Sequence, residues 1–230
     1  MNRLILKMSI AAVLLFITVT INAQFVTPLT TISGDSELIT VDGTKASGKL
    51  KNAMMGPNGL MSFKFEDSDG NKVKYKANEV QQLKIKVDGL AKMEIVAEQS
   101  SNITKLANSN FKEVVDREYI YWERVKDPSK DKFYLLQLLN PGFDELIKVY
   151  DLPNNKSGET SVGGVAVSGN EATAYLIVKD GKSMKITKKK YKKQDFNLLF
   201  GDCQKVIDEC KPDFKQMPVH VFLYNELCGK

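Results

Sequence analysis

The three cysteines lie close together near the end of the chain, at positions 203, 210 and 228. Cys203, Val206, Ile207 and Cys210 follow the spacing of one helical face. On that face the Cα atoms of Cys203 and Cys210 lie about 10 Å apart. A disulfide needs Cα atoms within about 7 Å, so these two cysteines cannot pair while the helix is intact. If a second helix returns antiparallel, Cys203 lies beside Cys228. We predict a Cys203–Cys228 disulfide, with Cys210–Cys228 as the second choice and three reduced thiols as the alternative.

Two short amphipathic helices would position these cysteines. Asp202 is predicted to cap the first helix, which ends before Pro212. After Pro212, apolar residues recur at intervals of 3, 4, 3 and 4 positions, which indicates a second helix. Because proline is tolerated in a first turn, this helix should begin near Met217, with Pro218 in that turn. A strand over Val219 to Tyr224 remains the alternative, since β-branched and aromatic residues are frequent there.

His220 is the single histidine of the chain, so a Ser-His-Asp or Cys-His arrangement would have to use it. Its place beside the apolar stripe favours a structural or surface role. The cysteines lack the C-x₂-C spacing of zinc sites. The turn from Asp67 to Asn71 starts like a calcium loop, but its glycine comes fourth and its twelfth residue is Asn78. We therefore predict a hairpin turn there, and neither a metal nor another cofactor.

A run of lysines is the most marked charge feature of the sequence. It could attract phosphates, lipopolysaccharide, nucleic acid or acidic glycans. The alternative is a solvated edge strand and linker, where lysines also block edge pairing. Aromatic residues within it are few and the formal charge of the whole chain is +5, so no nucleic-acid partner is expected. The run comprises Lys179, Lys182, Lys185, Lys188, Lys189, Lys190, Lys192 and Lys193.

Paired carboxylates could serve glycoside hydrolysis, but sequence does not supply the required geometry. No GxSxG, P-loop or GxGxxG motif is present. An enzyme is therefore the less favoured class, and a carboxylate-based hydrolase stays an alternative. The candidates, none singled out, are Glu66, Asp67, Asp69, Glu94, Asp116, Glu118, Glu123 and Asp144.

The start of the chain reads as a secretion signal. A basic region precedes an apolar run from Met8 to Thr20, which is short for a membrane span. Cleavage is predicted between Ala23 and Gln24, and the absence of cysteine after the cut argues against a lipid anchor. A retained membrane anchor is the alternative. We expect export to the periplasm or beyond, with no membrane span after cleavage.

The rest of the chain predicts an α+β fold, with an antiparallel β-rich body of meander and hairpins closed by a C-terminal helical hairpin. Residues 24–35 should form an exposed lead-in and residues 36–195 the β body. That body has room for two sheets, over 36–97 and 117–187, and residues 196–230 form the helical hairpin. A hydrophobic content of 43% is ordinary for a globular protein.

Glycine-bearing turns divide the first half of the body into short strands. Lys84–Val87 and Met93–Ala97 are predicted to form its last hairpin. Residues 98–110 are polar without clear period, and indicate a loop or short helix. Pro153 to Gly169 should be a long mobile loop.

Several short motifs occur in an order that resembles a family of uncharacterised small exported proteins of Bacteroidota. The resemblance implies an envelope location, strands first and a cysteine-bearing helical end, and it carries over no activity. Residues 98–131 depart from it. The motifs are Asn22-Ala23-Gln24, Asp42-Gly43-Thr44, Gly48-Lys49-Leu50, Phe63-Lys64, Gly70, Tyr75 to Val80, Tyr175-Leu176, Asp180-Gly181, Leu199 to Cys203 and Tyr224-Asn225.

The favoured function is a non-enzymatic envelope protein with a binding or structural role, whose partner would be an envelope glycan or protein. The first alternative is a basic anion- or glycan-binding module centred on the lysine run from 179 to 193.

Overall fold

The computed structural model describes residues 23–29, 32–100, 116–157, 160–162, 165–168 and 171–229. The predicted signal sequence lies outside these residues, except for Ala23, and so does most of the polar stretch 98–110. Within the described residues, no helix has the length and apolarity needed to cross a membrane.

The first half of the chain forms a closed antiparallel barrel. Six strands follow each other in the order β2-β1-β5-β6-β7-β3, and β2 also pairs with β3, which closes the ring. A further strand, β4, adds to β3, and a 3₁₀ turn at Ala77–Glu79 precedes β5. The strands are β1 (Gly34–Thr40), β2 (Lys45–Gly56), β3 (Gly59–Asp67), β4 (Lys72–Lys76), β5 (Val80–Lys86), β6 (Tyr119–Lys126) and β7 (Phe133–Gln137).

Gly59 makes the β3–β7 closure possible. Its φ is +99°, and a Cβ there would lie 2.5 Å from the carbonyl oxygen of Leu135. Leu60 then pairs with Leu135, and both side chains are buried in the barrel core. A side chain at position 59 would push the two strands apart.

A second sheet, in the order β14-β13-β8, continues from the barrel through a bridge between Leu138 and Tyr150. Two short hairpins connect β8 to β13. These strands are β8 (Ile147–Tyr150), β9 (Lys156–Ser157), β10 (Thr160–Val162), β11 (Val165–Ser168), β12 (Glu171–Ala172), β13 (Ala174–Lys179) and β14 (Lys182–Thr187). The described parts of the predicted long loop, Pro153 to Gly169, thus include strands.

Helices pack on one face of the second sheet, where Ile177 and Ile186 share a core with Phe200 and Val221. The helical region begins at Lys188, earlier than the boundary predicted at 196. Its segments are α2 (Lys188–Lys190), a π-helical turn (Tyr191–Asp195), α3 (Phe196–Phe200), α4 (Gln204–Glu209), a 3₁₀ turn (Phe214–Gln216) and α5 (Met217–Cys228). The α+β prediction is confirmed.

The prediction of an exposed lead-in over residues 24–35 is wrong. Val26 and Leu29 are only 5% and 3% exposed. The backbone N–H of Val26 donates to the carbonyl of Leu139 at 2.8 Å, and the side chain of Gln137 binds two further backbone groups of the segment. The segment belongs to the core because its apolar side chains are buried and the buried Gln137 amide forms hydrogen bonds with its backbone.

The predicted hairpin strand Met93–Ala97 is also wrong, because this stretch lies in helix α1 (Gly89–Ser100). Asp88 Oδ1 accepts a hydrogen bond from the N–H of Ala91 at 2.8 Å, which caps the helix. Ala91 and Ile95, one helical turn apart, are buried against the barrel. The Asp88-Gly89 pair that suggested a turn is therefore a helix start.

The C-terminal helix begins at Met217 with Pro218 in its first turn, as predicted, and the strand alternative is excluded. Asp202, however, does not cap α4. Cys203 occupies the cap position without a side-chain hydrogen bond. The carboxylate of Asp202 instead contacts Lys179, at 2.8 Å, and the hydroxyl of Tyr224, also at 2.8 Å. A charged partner from β13 has displaced the local capping interaction.

Candidate anion-binding face

The structure buries Lys179 of the predicted lysine run and keeps the last five members of the run exposed at the start of the helical region. Lys179 is 7% exposed, donates to the carbonyl of Leu199 and is ion-paired with Asp202. Burial alone would lower the pKa of Lys179, but the Asp202 carboxylate outweighs it and raises that pKa. Lys182 and Lys185 lie three positions apart on β14, so their side chains point to opposite faces of the strand. The other five follow on α2 and the π-helical turn.

A denser set of lysines lies on the outside of the barrel, on β2, β3 and β4. Residues directly opposite in an antiparallel pair point to the same face, so the register defines this surface. All six of its lysines are exposed. We call it the basic barrel face: Lys49, Lys51, Lys64, Lys72, Lys74 and Lys76, with Glu66 among them.

Lys64 is the centre of the face. It lies on β3 directly opposite Lys51 of β2 on one side and Lys74 of β4 on the other. At a strand spacing of about 4.8 Å, the row of three ammonium-bearing residues spans about 10 Å. Like charges directly opposite are destabilising. Lysines on the edge strand β4 can be explained by protection against edge pairing, but Lys64 and Lys51 lie on inner strands.

Glu66 supplies the face with its acidic partner. It accepts from Lys51 at 2.6 Å and lies 3.8 Å from Lys72. The hydrogen bond from Lys51 lowers the pKa of Glu66, and the charges of Lys72 and Lys49 add to that effect. Within the part of the chain that the structure describes, Lys64 has no carboxylate within ion-pair distance. One acid against six lysines leaves the face strongly positive.

The barrel interior explains why the lysines are displayed so regularly. Along β3, Phe63 and Phe65 are buried at 1% and 2% exposure, while Lys64 between them points outward. In β4 the lysines alternate with Val73 and Tyr75 in sequence, but Val73 is exposed and Tyr75 half-buried, as expected of an edge strand. This alternation is visible in the sequence, but the pairing that sets Lys64 between two other lysines depends on strand register.

A cleft of about 620 Å³ lies between β6 and the second sheet. At its floor, the Glu123 carboxylate accepts from Gln82 at 3.1 Å, from Lys148 at 2.8 and 3.0 Å, and from Tyr150 at 2.6 Å. Burial and the Glu123 charge raise the pKa of Tyr150. Three donor groups make four hydrogen bonds to the Glu123 carboxylate, which engage its four lone-pair sites.

Asp127 is the second carboxylate of this cleft, and it is also engaged. Ser129 and the Tyr134 hydroxyl donate to it at 2.8 and 2.7 Å. Burial opposes ionisation, but these hydrogen bonds outweigh it and lower the pKa of Asp127. Since a general acid needs a raised pKa, the cleft lends no support to the hydrolase alternative.

Two of the predicted carboxylates lie close together, because Lys148 Nζ is 2.8 Å from Glu123 and 3.7 Å from Asp144. The others are spread over the barrel surface, α1 and the residues just before β6. Asp67 holds a hairpin turn through the N–H groups of Asp69 and Asn71, at 2.9 and 2.8 Å, in place of a calcium loop. No group of three metal-ligating side chains occurs within the described ranges. Four more of these carboxylates form ion pairs with lysines: Glu66–Lys51, Asp116–Lys92, Glu118–Lys86 and Asp144–Lys148. Glu94 lies on α1.

The structure brings Cys203 and Cys228 to disulfide distance, with Cα atoms 6.1 Å apart, and leaves Cys210 as a free cysteine. This is the pair that helical spacing predicted. Cys203 lies immediately before the first residue of α4, and Cys228 is the last residue of α5.

His220 is fully buried and has a structural environment. Its Nδ1 lies 2.7 Å from the hydroxyl of Tyr191, and its ring packs against those of Phe196 and Phe200. Nε2 is buried without a hydrogen-bond partner. Burial lowers the pKa of His220 to about 4, although the charge of Asp213 opposes this shift.

We expect the protein to lose stability as the pH falls from about 6.5 to about 4. His220 takes up its proton near pH 6.5 in the unfolded chain but near pH 4 in the folded chain. Stability from neutral His220 is therefore present above pH 6.5 and lost through this window, by about 3 kcal/mol in total. Chemical unfolding as a function of pH measures this loss.

His220→Gln, which has no titrating group, is the control. Subtracting its pH profile removes other contributions, including that of Asp151, whose burial raises its pKa and acts in the opposite direction. Parallel profiles for the two proteins would contradict the prediction.

No protein-family model, curated protein or solved structure matches this chain. Function is therefore inferred from the geometry of the basic barrel face and the cleft.

Proposed function

We propose that this is an exported, non-enzymatic binding protein whose basic barrel face holds a polyanionic ligand. The observation that carries the proposal is the row Lys51–Lys64–Lys74, in which lysines lie directly opposite one another on three strands. A bound polyanion would convert this mutual repulsion into attraction for the ligand. Edge protection accounts for β4 but not for the two inner strands.

The remaining features support a binding role over catalysis. Glu123 and Asp127 are fully engaged, and His220 is enclosed by aromatic rings. Export is supported by the N-terminal sequence pattern and by two cysteines at disulfide distance, which suit an oxidising compartment.

Exchange of Lys51, Lys64 and Lys74 for glutamine is expected to weaken binding to heparin, used as a polyanion probe, by about tenfold or more. Three positive charges are lost from the centre of the face while the side-chain length is retained. Affinity measured by calorimetry at fixed salt, with retention on immobilised heparin, reports the change.

The matched control exchanges Lys189, Lys190 and Lys193, which are exposed in the helical region, for glutamine. It removes the same charge and should change the affinity by less than about threefold. An equal loss in both triple variants would show that net charge or the predicted lysine run accounts for binding, and the proposal would fail. It would also fail if the unmodified protein did not bind heparin.

A further inference from the structure

We propose that the ligand of the basic barrel face is a linear acidic polysaccharide, lying across the strands along the row Lys51–Lys64–Lys74. This inference rests on the proposed function and names the class of ligand. It follows from what the face displays besides charge, and from the direction in which its charges are aligned.

Outward positions on the three strands carry no aromatic side chain in the paired rows that the structure describes. The aromatic residues of β3 and β4 are Phe63, Phe65 and Tyr75, and these contribute to the barrel core. Proteins that bind single-stranded nucleic acid rely on aromatic rings on which bases stack. The basic barrel face therefore offers charge without a stacking platform.

Arginine is also missing from the face. The three arginines of the chain are Arg3, Arg117 and Arg124, all outside β2, β3 and β4. Arginine binds phosphate through a planar pair of donors, whereas the lysine ammonium is a compact charge with three donors. The face therefore lacks a bidentate fork, and its ammonium groups act as point charges that bind carboxylate, sulfate or phosphate and can also donate to sugar hydroxyl groups.

A lipid surface is a poorer fit than a polysaccharide chain. Peripheral membrane binding combines charge with an inserted apolar area. In the three paired rows of the face, Met54 is the apolar residue that points the same way as the lysines, opposite Ser62. The second exposed methionine nearby, Met61, is the extra residue where the β2–β3 register shifts, so the face borders two exposed methionines at one end, a small apolar area beside six lysines.

The lysines form two lines that cross at Lys74. One is the row across β2, β3 and β4; the other runs along the edge strand through Lys72, Lys74 and Lys76. Edge protection explains the second line. Edge protection does not explain Lys64 at the centre of the row across the strands, because β3 is paired on both sides at that position. We therefore assign the polysaccharide chain to the row.

The test compares two double variants in binding an oligogalacturonate. Lys51→Gln with Lys64→Gln interrupts the row, and Lys72→Gln with Lys76→Gln interrupts the edge line. Both remove two charges and retain Lys74. We expect about a tenfold loss for the row variant and less than about a threefold loss for the edge variant. The reverse order, or equal losses, would overturn the assignment to the row.

An oligothymidylate of equal charge and vesicles of anionic lipid are the competing probes. Tighter binding of the oligogalacturonate supports the inference. Tighter binding of either competitor through the same lysines would overturn the polysaccharide class while leaving the proposed function intact. If the unmodified protein did not bind heparin, the proposed function itself would fail.

The single variant Lys64→Gln has an expected effect on stability. It removes the central charge of the row and keeps the 2.6 Å Lys51–Glu66 ion pair, so it should raise the melting temperature of the free protein by about 2 °C. Because a generally damaged fold would melt lower, this rise separates loss of a ligand contact from loss of structure. A lower melting temperature would contradict the view that the row is kept for binding at a cost in stability.

Discussion

Replacing Gln137 with alanine is expected to lower the free energy of unfolding by about 3 kcal/mol. The Gln137 side chain is 1% exposed. Its Oε1 accepts from the backbone N–H of Leu29 at 2.9 Å, and its Nε2 donates to the carbonyl of Thr27 at 2.8 Å. Truncation leaves both backbone groups buried and unpaired, and each costs about 1 to 3 kcal/mol.

The effect of Gln137→Ala should spread through the N-terminal segment. Gln99 of α1 donates to the Thr27 hydroxyl at 2.8 Å, so the segment links α1 to β7. Denaturant unfolding measures the total loss, and amide exchange at Leu29 should accelerate. Gln194→Ala, at an exposed position, is the control. A loss of less than about 1 kcal/mol for Gln137→Ala would mean that the segment is held by its apolar contacts alone.

The second large effect is expected on reduction of the Cys203–Cys228 pair. A disulfide between residues separated by 25 positions restricts the unfolded chain by roughly 3 kcal/mol in the chain-entropy account. Unfolding with and without reductant should differ by this amount. Paired exchange of Cys203 and Cys228 for serine should reproduce the reduced protein.

Cys210→Ser separates the two pairings that the sequence left open. With a Cys203–Cys228 bridge, the exchange should leave stability and electrophoretic mobility nearly unchanged, and thiol titration of the folded oxidised protein should find one free cysteine. Three free thiols would exclude any bridge. A mobility change in Cys210→Ser would favour the Cys210–Cys228 pairing instead.

Local patterns in the sequence were sufficient for much of the fold. Alternation along β2, β3 and β4 predicted strands, since strand periodicity is a property of neighbouring residues. Helical spacing placed Cys203 beside Cys228 and Pro218 in the first turn of α5. These inferences require only local spacing, together with the antiparallel return of the second helix for the cysteine pair, whose members are 25 positions apart.

The errors came where a distant partner decides the outcome. Asp202 has the right residue type for a helix cap, but Lys179, 23 positions earlier, takes its carboxylate. The residues after Gln24 are polar enough to suggest exposure, yet Gln137, more than 100 positions later, buries their backbone. In α1, the Asp88-Gly89 pair suits a turn and a helix start equally, so packing of Ile95 settles it.

The candidate site shows the same limit. Lysine-rich alternation in β4 is evident from residues 72 to 76, but its significance depends on what lies opposite. Only strand register reveals that Lys64 has lysines on both sides. The lysine run from 179 to 193 is more conspicuous in the sequence because its members lie close together along the chain, but folding buries Lys179 against Asp202.

The most direct measurement is a chemical-shift map of the isotope-labelled protein titrated with heparin. The perturbed amides are expected to cluster on β2, β3 and β4 around Lys51, Lys64 and Lys74, and the perturbations should weaken as salt is raised. Perturbations centred on residues 188–193, or on the Glu123 cleft, would contradict the assignment of binding to the basic barrel face.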